Sequence, residues 1–183
     1  MIIRLFCCHC ALAVSKNLPH APIDVPMPVV TIADDGRHEV RCAAGHVSTV
    51  FLDNLKFELL FEIGLNALVD DHSRDAVSSF AASLERFYEF FWHVACRVNN
   101  VPPEEAAKAW KLVARQSERQ VGMFITAHLI LLKRSPALLN TNTDVKLRND
   151  VIHGGYIPTQ DEACAFGNVV MKRKRSIKPS LVS

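Results

Sequence analysis

Two groups of residues in this chain have types and spacings suited to chemistry. The first is the stretch Leu147-Arg148-Asn149-Asp150-Val151-Ile152-His153-Gly154-Gly155. In a helix Asn149 and His153, four apart, share a face, and only the long side chain of Arg148 can swing its guanidinium round to the histidine. Val145 and Ile152 are expected to supply the buried side, and Gly154 to stop the helix. His153 then falls in the last turn, where the helix dipole favours the imidazolium. A histidine that titrates near neutrality beside a permanent cation suits phosphodiester chemistry.

The second group is cysteine-rich. Of six cysteines, Cys7, Cys8, Cys10 and Cys42 fall in the first quarter, while Cys96 and Cys164 stand apart. The spacing and context of a disulfide framework are missing. Cys7-x-x-Cys10 followed by Cys42-x-x-x-His46 supplies four soft or borderline ligands, a closed set of the kind that holds a structural zinc. Cys8, His9, His20 and His38 are nearby substitutes, and reduced, metal-free cysteines are the competing reading. Between the two halves, Val29-Val30-Thr31-Ile32 and His38-Glu39-Val40-Arg41 flank Asp34-Asp35-Gly36, which predicts a hairpin. Pro19, Pro22, Pro26 and Pro28 predict an extended loop. Residues 1–51 are therefore expected to form a small β-rich, zinc-ribbon-like module.

The elements that must position the first group begin at Leu52. Leu52, Leu55, Leu59, Ile63 and Ala67 recur at helical spacing, with Asp53 near the start and Gly64 placed for a close helix approach. Ser73 is the expected N-cap of the strongest helix, in which Val77, Phe80, Leu84, Phe87, Phe91, Val94 and Val98 alternate by three and four. A third helix follows Pro102-Pro103 towards Arg115, and a fourth runs from Ser117 to Lys133. Residues 138–153 carry the motif helix. The last helix starts at Pro158-Thr159, where Thr159 and Glu162 have capping-box spacing, and buries Ala163, Phe166, Val169 and Val170. Residues 52–183 thus read as an α-helical domain, and the fold class as mainly α.

Composition sets the outer bounds. The 183 residues fit one domain with a small appendage, and at 49% hydrophobic they can build a proper core. A net charge of +2 neither demands nor excludes an anionic partner. No apolar run reaches the length of about eighteen residues expected of a membrane span. Cys7, Cys8, His9 and Cys10 interrupt what would be a signal-peptide core. The expected location is cytoplasmic, with no membrane partner.

Arg148-Asn149-x-x-x-His153 followed by glycine, late in an all-helical domain, resembles the motif of the HEPN family (higher eukaryote and prokaryote nucleotide-binding domains) over about residues 52–175. The same gap occurs at Arg4–His9 and Arg41–His46, and a longer one at Arg86–His93. What distinguishes 148–153 is Asn149, the helical setting and the glycine stop. The resemblance implies a HEPN-like bundle and a metal-independent endoribonuclease that cleaves RNA by 2′-hydroxyl transesterification. It implies His153 as the proton acceptor, Arg148 on the phosphate oxygens and Asn149 as orienting group. It also implies Glu85 as an acid facing the active site, and a homodimer that brings two motifs together. The zinc segment is not a general feature of the family; as a class such ribbons bind nucleic acid or protein.

Other readings of these residues run alongside. Arg148 can pair with Asp150 or Asp144 while His153 merely packs, and Glu85 can form a structural ion pair. Arg86 and His93, seven apart, share a face but more often flank a core. His128, Trp92 and Trp110 read as packing residues. Lys172-Arg173-Lys174-Arg175 is either a solvated helix end or a grip on RNA backbone. At the level of function the competitors are a non-catalytic RNA- or nucleotide-binding or protein-interaction module, and a toxin- or defence-related member neutralised by a partner protein.

Overall fold

A computed structural model describes residues 2–16, 18, 25, 27–52 and 55–175. It divides into two compact units, residues 1–54 and 55–183. Most of the proline-rich stretch (Pro19, Pro22 and Pro26), His20 and Asp53 lie outside the described residues. The protein is mainly α-helical with two small antiparallel sheets. Among the described residues no helix is long and apolar enough to cross a membrane.

In the first unit, strand β1 (Ile2–Arg4) leads to helix α1 (Cys8–Ser15), then to β2 (Val29–Thr31), β3 (Arg37–Arg41) and β4 (Val47–Phe51). The hairpin expected across Asp34-Asp35-Gly36 does not form. β2 instead pairs with β1, Ile3 opposite Val30, and β3 pairs with β4, Glu39 opposite Thr49. The physical reason is the turn itself. Asp35 Oδ1 accepts the Arg37 N–H at 3.0 Å and Gly36 N–H donates to Ala33 O at 3.1 Å, so the chain is redirected between sheets rather than folded back in register. The hairpin that does form closes through Cys42–His46. In β3 the strand alternation turns Arg37, Glu39 and Arg41 outward and buries His38 and Val40.

The second unit is built around one helix. α2 (Lys56–Val69), α4 (Pro103–Lys111), α5 (Ser117–Leu132), α6 (Lys146–Ile152) and α7 (Gln160–Arg175) all pack on α3 (Ser73–Val98). The expected spacing of apolar residues in α3 holds as far as Phe91: Val77, Phe80, Leu84, Phe87 and Phe91 are buried, whereas Val94 is half-buried and Val98 is exposed at the helix end. Phe80 lies between two glycines. A Cβ at Gly64 of α2 would sit 2.5 Å from its ring, and one at Gly167 of α7 would sit 2.7 Å away. Both helices approach α3 closely because those side chains are absent.

Two details depart from the sequence pattern. The face α2 turns inward carries Phe57, Phe61 and Gly64, while Leu55 is exposed. The aromatic row of α3 selects that face, Phe57 meeting Phe87 edge-on at 5.2 Å and Phe61 meeting Phe80 at 4.9 Å. Ser73 is the first residue of α3 rather than its cap, and its hydroxyl donates to Gln160 Oε1 at 3.0 Å. The capping box of α7 forms as expected: Glu162 Oε2 accepts the Thr159 N–H at 2.8 Å and Thr159 Oγ1 accepts the Glu162 N–H at 3.2 Å.

The basic run at the end of α7 requires a correction. Lys174 is not a surface cation available to RNA, because its side chain is buried. Its Nζ donates to Ser83 Oγ at 3.0 Å, Ser83 donates onward to Phe57 O at 2.6 Å, and the ammonium stands 3.9 Å from the Phe61 ring centre. Helical periodicity explains it: Val170 and Lys174, four apart, share the inward face. Lys172 and Arg175 remain exposed and Arg173 is half-buried.

Candidate active-site cleft and metal cluster

Residues Asn140 to Tyr156 are shaped by local hydrogen bonds before any packing. Asn140 Oδ1 accepts the N–H groups of Asn142 and Thr143 at 2.9 and 3.2 Å, and Asp144 Oδ2 accepts the Asn140 N–H at 2.9 Å. The chain then runs through a π-helical turn (Thr141–Val145) into α6. The wider turn shifts the helical phase, so Val151 becomes the fully buried residue and Val145 and Ile152 are only half-buried. His153 sits at the C-cap, its N–H donating to Asn149 O at 2.9 Å. The glycines divide the stop between them. Gly155 takes the left-handed conformation (φ +70°), while a Cβ on Gly154 would come within 2.8 Å of Asp150 O.

The two acids nearest Arg148 in sequence do not pair with it. Asp144 is used in the cap, and Asp150 accepts from Lys146 Nζ at 2.5 Å, an ion pair that raises the lysine pKa. The partner of Arg148 is Glu85, from the middle of α3, with Nη2 2.5 Å from Oε1. Arg148 Nη1 also donates to Asn149 Oδ1 at 3.0 Å and to Ser117 Oγ at 3.3 Å. The guanidinium is thus tied to three elements. Asn149 faces Arg148 through its side chain and His153 through its backbone carbonyl.

Glu85, Arg148, Asn149 and His153 all line one cleft of about 910 Å³. Its other walls include Arg115 and Arg119 at the α4–α5 turn and the start of α5, and an apolar side with Val121, Leu138 and Leu139. His153 is exposed, and its ring has no partner among the described residues. Tyr88, buried against Phe124 at 4.4 Å between ring centres, also reaches the cleft. Burial pushes its phenol well above the ordinary value and Glu85 adds to this, against Arg148 and Arg173, so it stays a neutral hydroxyl. Arg86 and His93 do not line the cleft, and Arg86 pairs with Glu89 at 2.5 Å. His128 is a core histidine, its Nδ1 2.6 Å from Arg134 O. Trp92 packs with its indole N–H donating to Ala106 O.

Tyr88, Ser117, Arg115 and Arg119 carry no motif that sequence reasoning singled out. Tyr88 had a usable signal, one helical turn after Glu85 on the same face. The arginines had none, because their position depends on the turn between α4 and α5.

In the first unit, Cys7, Cys10, Cys42 and His46 offer ligand atoms that all lie within 4.8 Å of one another. Cys7 is the N-cap of α1 and Cys10 lies in its first turn, so this half of the set is held by a helix rather than by a second strand turn. Cys42 and His46 sit on the β3–β4 turn, where Gly45 (φ +80°) donates to Cys42 O at 2.9 Å. The geometry can be tested against an ion. Metal–sulfur and metal–nitrogen bonds of about 2.3 and 2.0 Å in a tetrahedron give edges of about 3.8 Å between sulfurs and about 3.5 Å from sulfur to nitrogen. The observed separations are 3.9 Å for Cys10–Cys42, and 3.4, 3.5 and 3.8 Å from His46 Nδ1 to Cys10, Cys42 and Cys7. The four groups could hold a metal ion such as zinc. Burial raises the Cys42 thiol, but the backbone N–H groups of His46 and Ala44, together with hydrogen bonds from Cys7 and Cys10, outweigh it and bring the pKa down to about 7. Burial and the neighbouring thiols push Cys10 up to about 11. The substitutes are placed elsewhere: Cys8 is exposed, His38 is buried on β3, and the His9 ring lies against that of His46 at 5.2 Å.

Comparison with known proteins adds nothing to this geometry, since no family model, curated protein or solved structure matches the chain.

Proposed function

We propose that the second unit is a HEPN-type endoribonuclease whose active site is the cleft between α3, α5 and α6. The observation that carries the reading is the convergence of Arg148, Asn149, His153 and Glu85 on one cleft. In the proposed reaction His153 Nδ1 or Nε2 takes the proton of an RNA 2′-hydroxyl, which attacks the adjacent phosphorus and expels the 5′-oxygen. Arg148 stabilises the non-bridging oxygens as charge grows, with Asn149 and Glu85 fixing its guanidinium beforehand. The products are a 2′,3′-cyclic phosphate and a 5′-hydroxyl. DNA, which lacks the attacking group, is not cut. A single exposed histidine serves one proton transfer, so the leaving oxygen takes its proton from His153 of a second copy in a homodimer. In the first unit zinc occupies the Cys7, Cys10, Cys42 and His46 set as a structural ion, with no part in the cleavage step.

A second reading has its own support. Glu85 already neutralises Arg148, as expected of a cleft that binds RNA or a nucleotide without turnover. Incubation of RNA with wild type, His153→Ala and Arg148→Ala, followed by end-group analysis, separates the two. Cyclic-phosphate ends from wild type alone support the enzyme. RNA bound but uncut by all three folded proteins supports the binding module, and full activity from a stable monomer removes the dimer.

A further inference from the structure

Three arginines line the cleft, and their electrostatic states differ. Arg148 is paired with Glu85, and its Nη1 is shared between Ser117 and Asn149. Arg115 and Arg119 are exposed, and among the described residues no carboxylate lies within ion-pairing distance of either. Arg115, Arg119 and Arg148 against Glu85 and Glu118 leave one positive charge in excess among the lining residues before His153 is counted. Because Glu85 is committed to Arg148, that excess resides with Arg115 and Arg119. Ser117, whose hydroxyl anchors Arg148, lies two residues from each of them in sequence. The start of α5 therefore couples the paired arginine to the two unpaired ones. The basic run of α7 is a poorer source of charge for a ligand, since Lys174 is buried within the helical core.

We propose that Arg115 and Arg119 are the phosphate clamp of this cleft, binding the phosphodiesters that flank the one addressed by Arg148 and His153. The ligand is single-stranded RNA, an assignment that rests on the ribonuclease reading above. A cleft of about 910 Å³ is on the scale of small-ligand sites and cannot admit an A-form duplex. Division of labour follows from the charges. Affinity comes from the two unpaired cations through counterion release, and orientation of the reacting phosphate comes from the tethered one.

The test is the salt dependence of binding, read by fluorescence anisotropy with a short 2′-O-methyl RNA strand that has no free 2′-hydroxyl. Arg115→Gln and Arg119→Gln should each weaken binding and lower the slope of log affinity against log salt by about 0.7, one phosphate contact on a single strand. Arg115→Lys and Arg119→Lys should keep the slope, which separates lost charge from lost structure. Lys172→Gln and Arg175→Gln, on α7 and outside the cleft, should leave the slope unchanged. An unaltered slope in both clamp variants, a fall confined to the α7 variants, or no binding of the strand by wild type overturns the proposal. If binding follows the expected pattern but wild type leaves unmodified RNA intact, the clamp stands and the ribonuclease reading falls.

Discussion

The two units of this protein are held together by different means. In residues 55–183 the interior is a continuous set of aromatic and aliphatic side chains, with Phe80, Phe91, Phe124 and Phe166 almost fully buried on or against α3. In residues 1–54 the buried apolar side chains among the described residues are Leu5, Val40 and three cysteines, all three of them members of the Cys/His set. The first unit thus uses its ligand atoms as its core. So small an interior offsets little chain entropy, and in the zinc reading proposed above the bound ion supplies what it lacks. The helical unit needs no such substitute.

Metal removal should break this comparison most strongly. Structural zinc sites have apparent binding free energies of about 10–16 kcal/mol at neutral pH, more than a core this small can replace. Chelation, or Cys10→Ser, should therefore abolish amide-exchange protection in β3 and β4 while the helical circular dichroism of the second unit persists. Retention of that protection would show that the cysteines are only a packed cluster. The next effect in size tests the other unit. Gly167→Ala and Gly64→Ala each force a methyl group into the Phe80 ring, and overpacking of this kind costs about 1–3 kcal/mol. Urea denaturation should show that loss in the helical transition, and Phe80→Leu should partly relieve it. Exchange protection in the first unit should not change.

How much of this was legible in the sequence depended on whether local spacing or chain reversal decided the outcome. The α3 pattern of Val77, Phe80, Leu84, Phe87 and Phe91 was readable, because a long amphipathic helix imposes its own period. The capping box at Thr159 and Glu162 was equally local. The cysteines and His46 could be grouped from spacing, but the helix at Cys8–Ser15 could not, nor could the pairing of β2 with β1 instead of β3. Both depend on where the chain goes between ligands. In the cleft, Arg148, Asn149 and His153 were visible as a set, whereas the choice of Glu85 over Asp144 and Asp150 was decided by a cap and an i,i+4 lysine. The burial of Val151 was hidden by the π turn, whose extra width no apolar repeat announces. Lys174 was misread for a related reason: a basic run has the look of surface, but a helix carries every fourth residue back to the same face.

The smallest expected effect concerns the link between α7 and the motif loop. Glu162 accepts the Thr159 N–H and is also reached by the Tyr156 hydroxyl at 3.1 and 3.2 Å, just beyond the glycines that follow His153. The Thr159 backbone bond, with the Thr159 hydroxyl, holds the Glu162 carboxyl below its ordinary value of 4.5. A depressed pKa means that the charged form is favoured by folding. The contribution is fully present above the unfolded value and is lost as pH falls from about 4.5 through the folded pKa. Glu162→Gln should therefore be less stable than wild type at neutral pH, and the difference should shrink to nothing as the medium is acidified across that window. The same protonation weakens the Tyr156 side-chain contact, so the protection factor of the Tyr156 amide, which donates to Asp150 O, should fall over the same range in wild type but not in the variant. Because the carboxylate is solvent-facing, the whole effect should also fade with added salt, unlike the clash at Phe80, which is steric and independent of both pH and ionic strength.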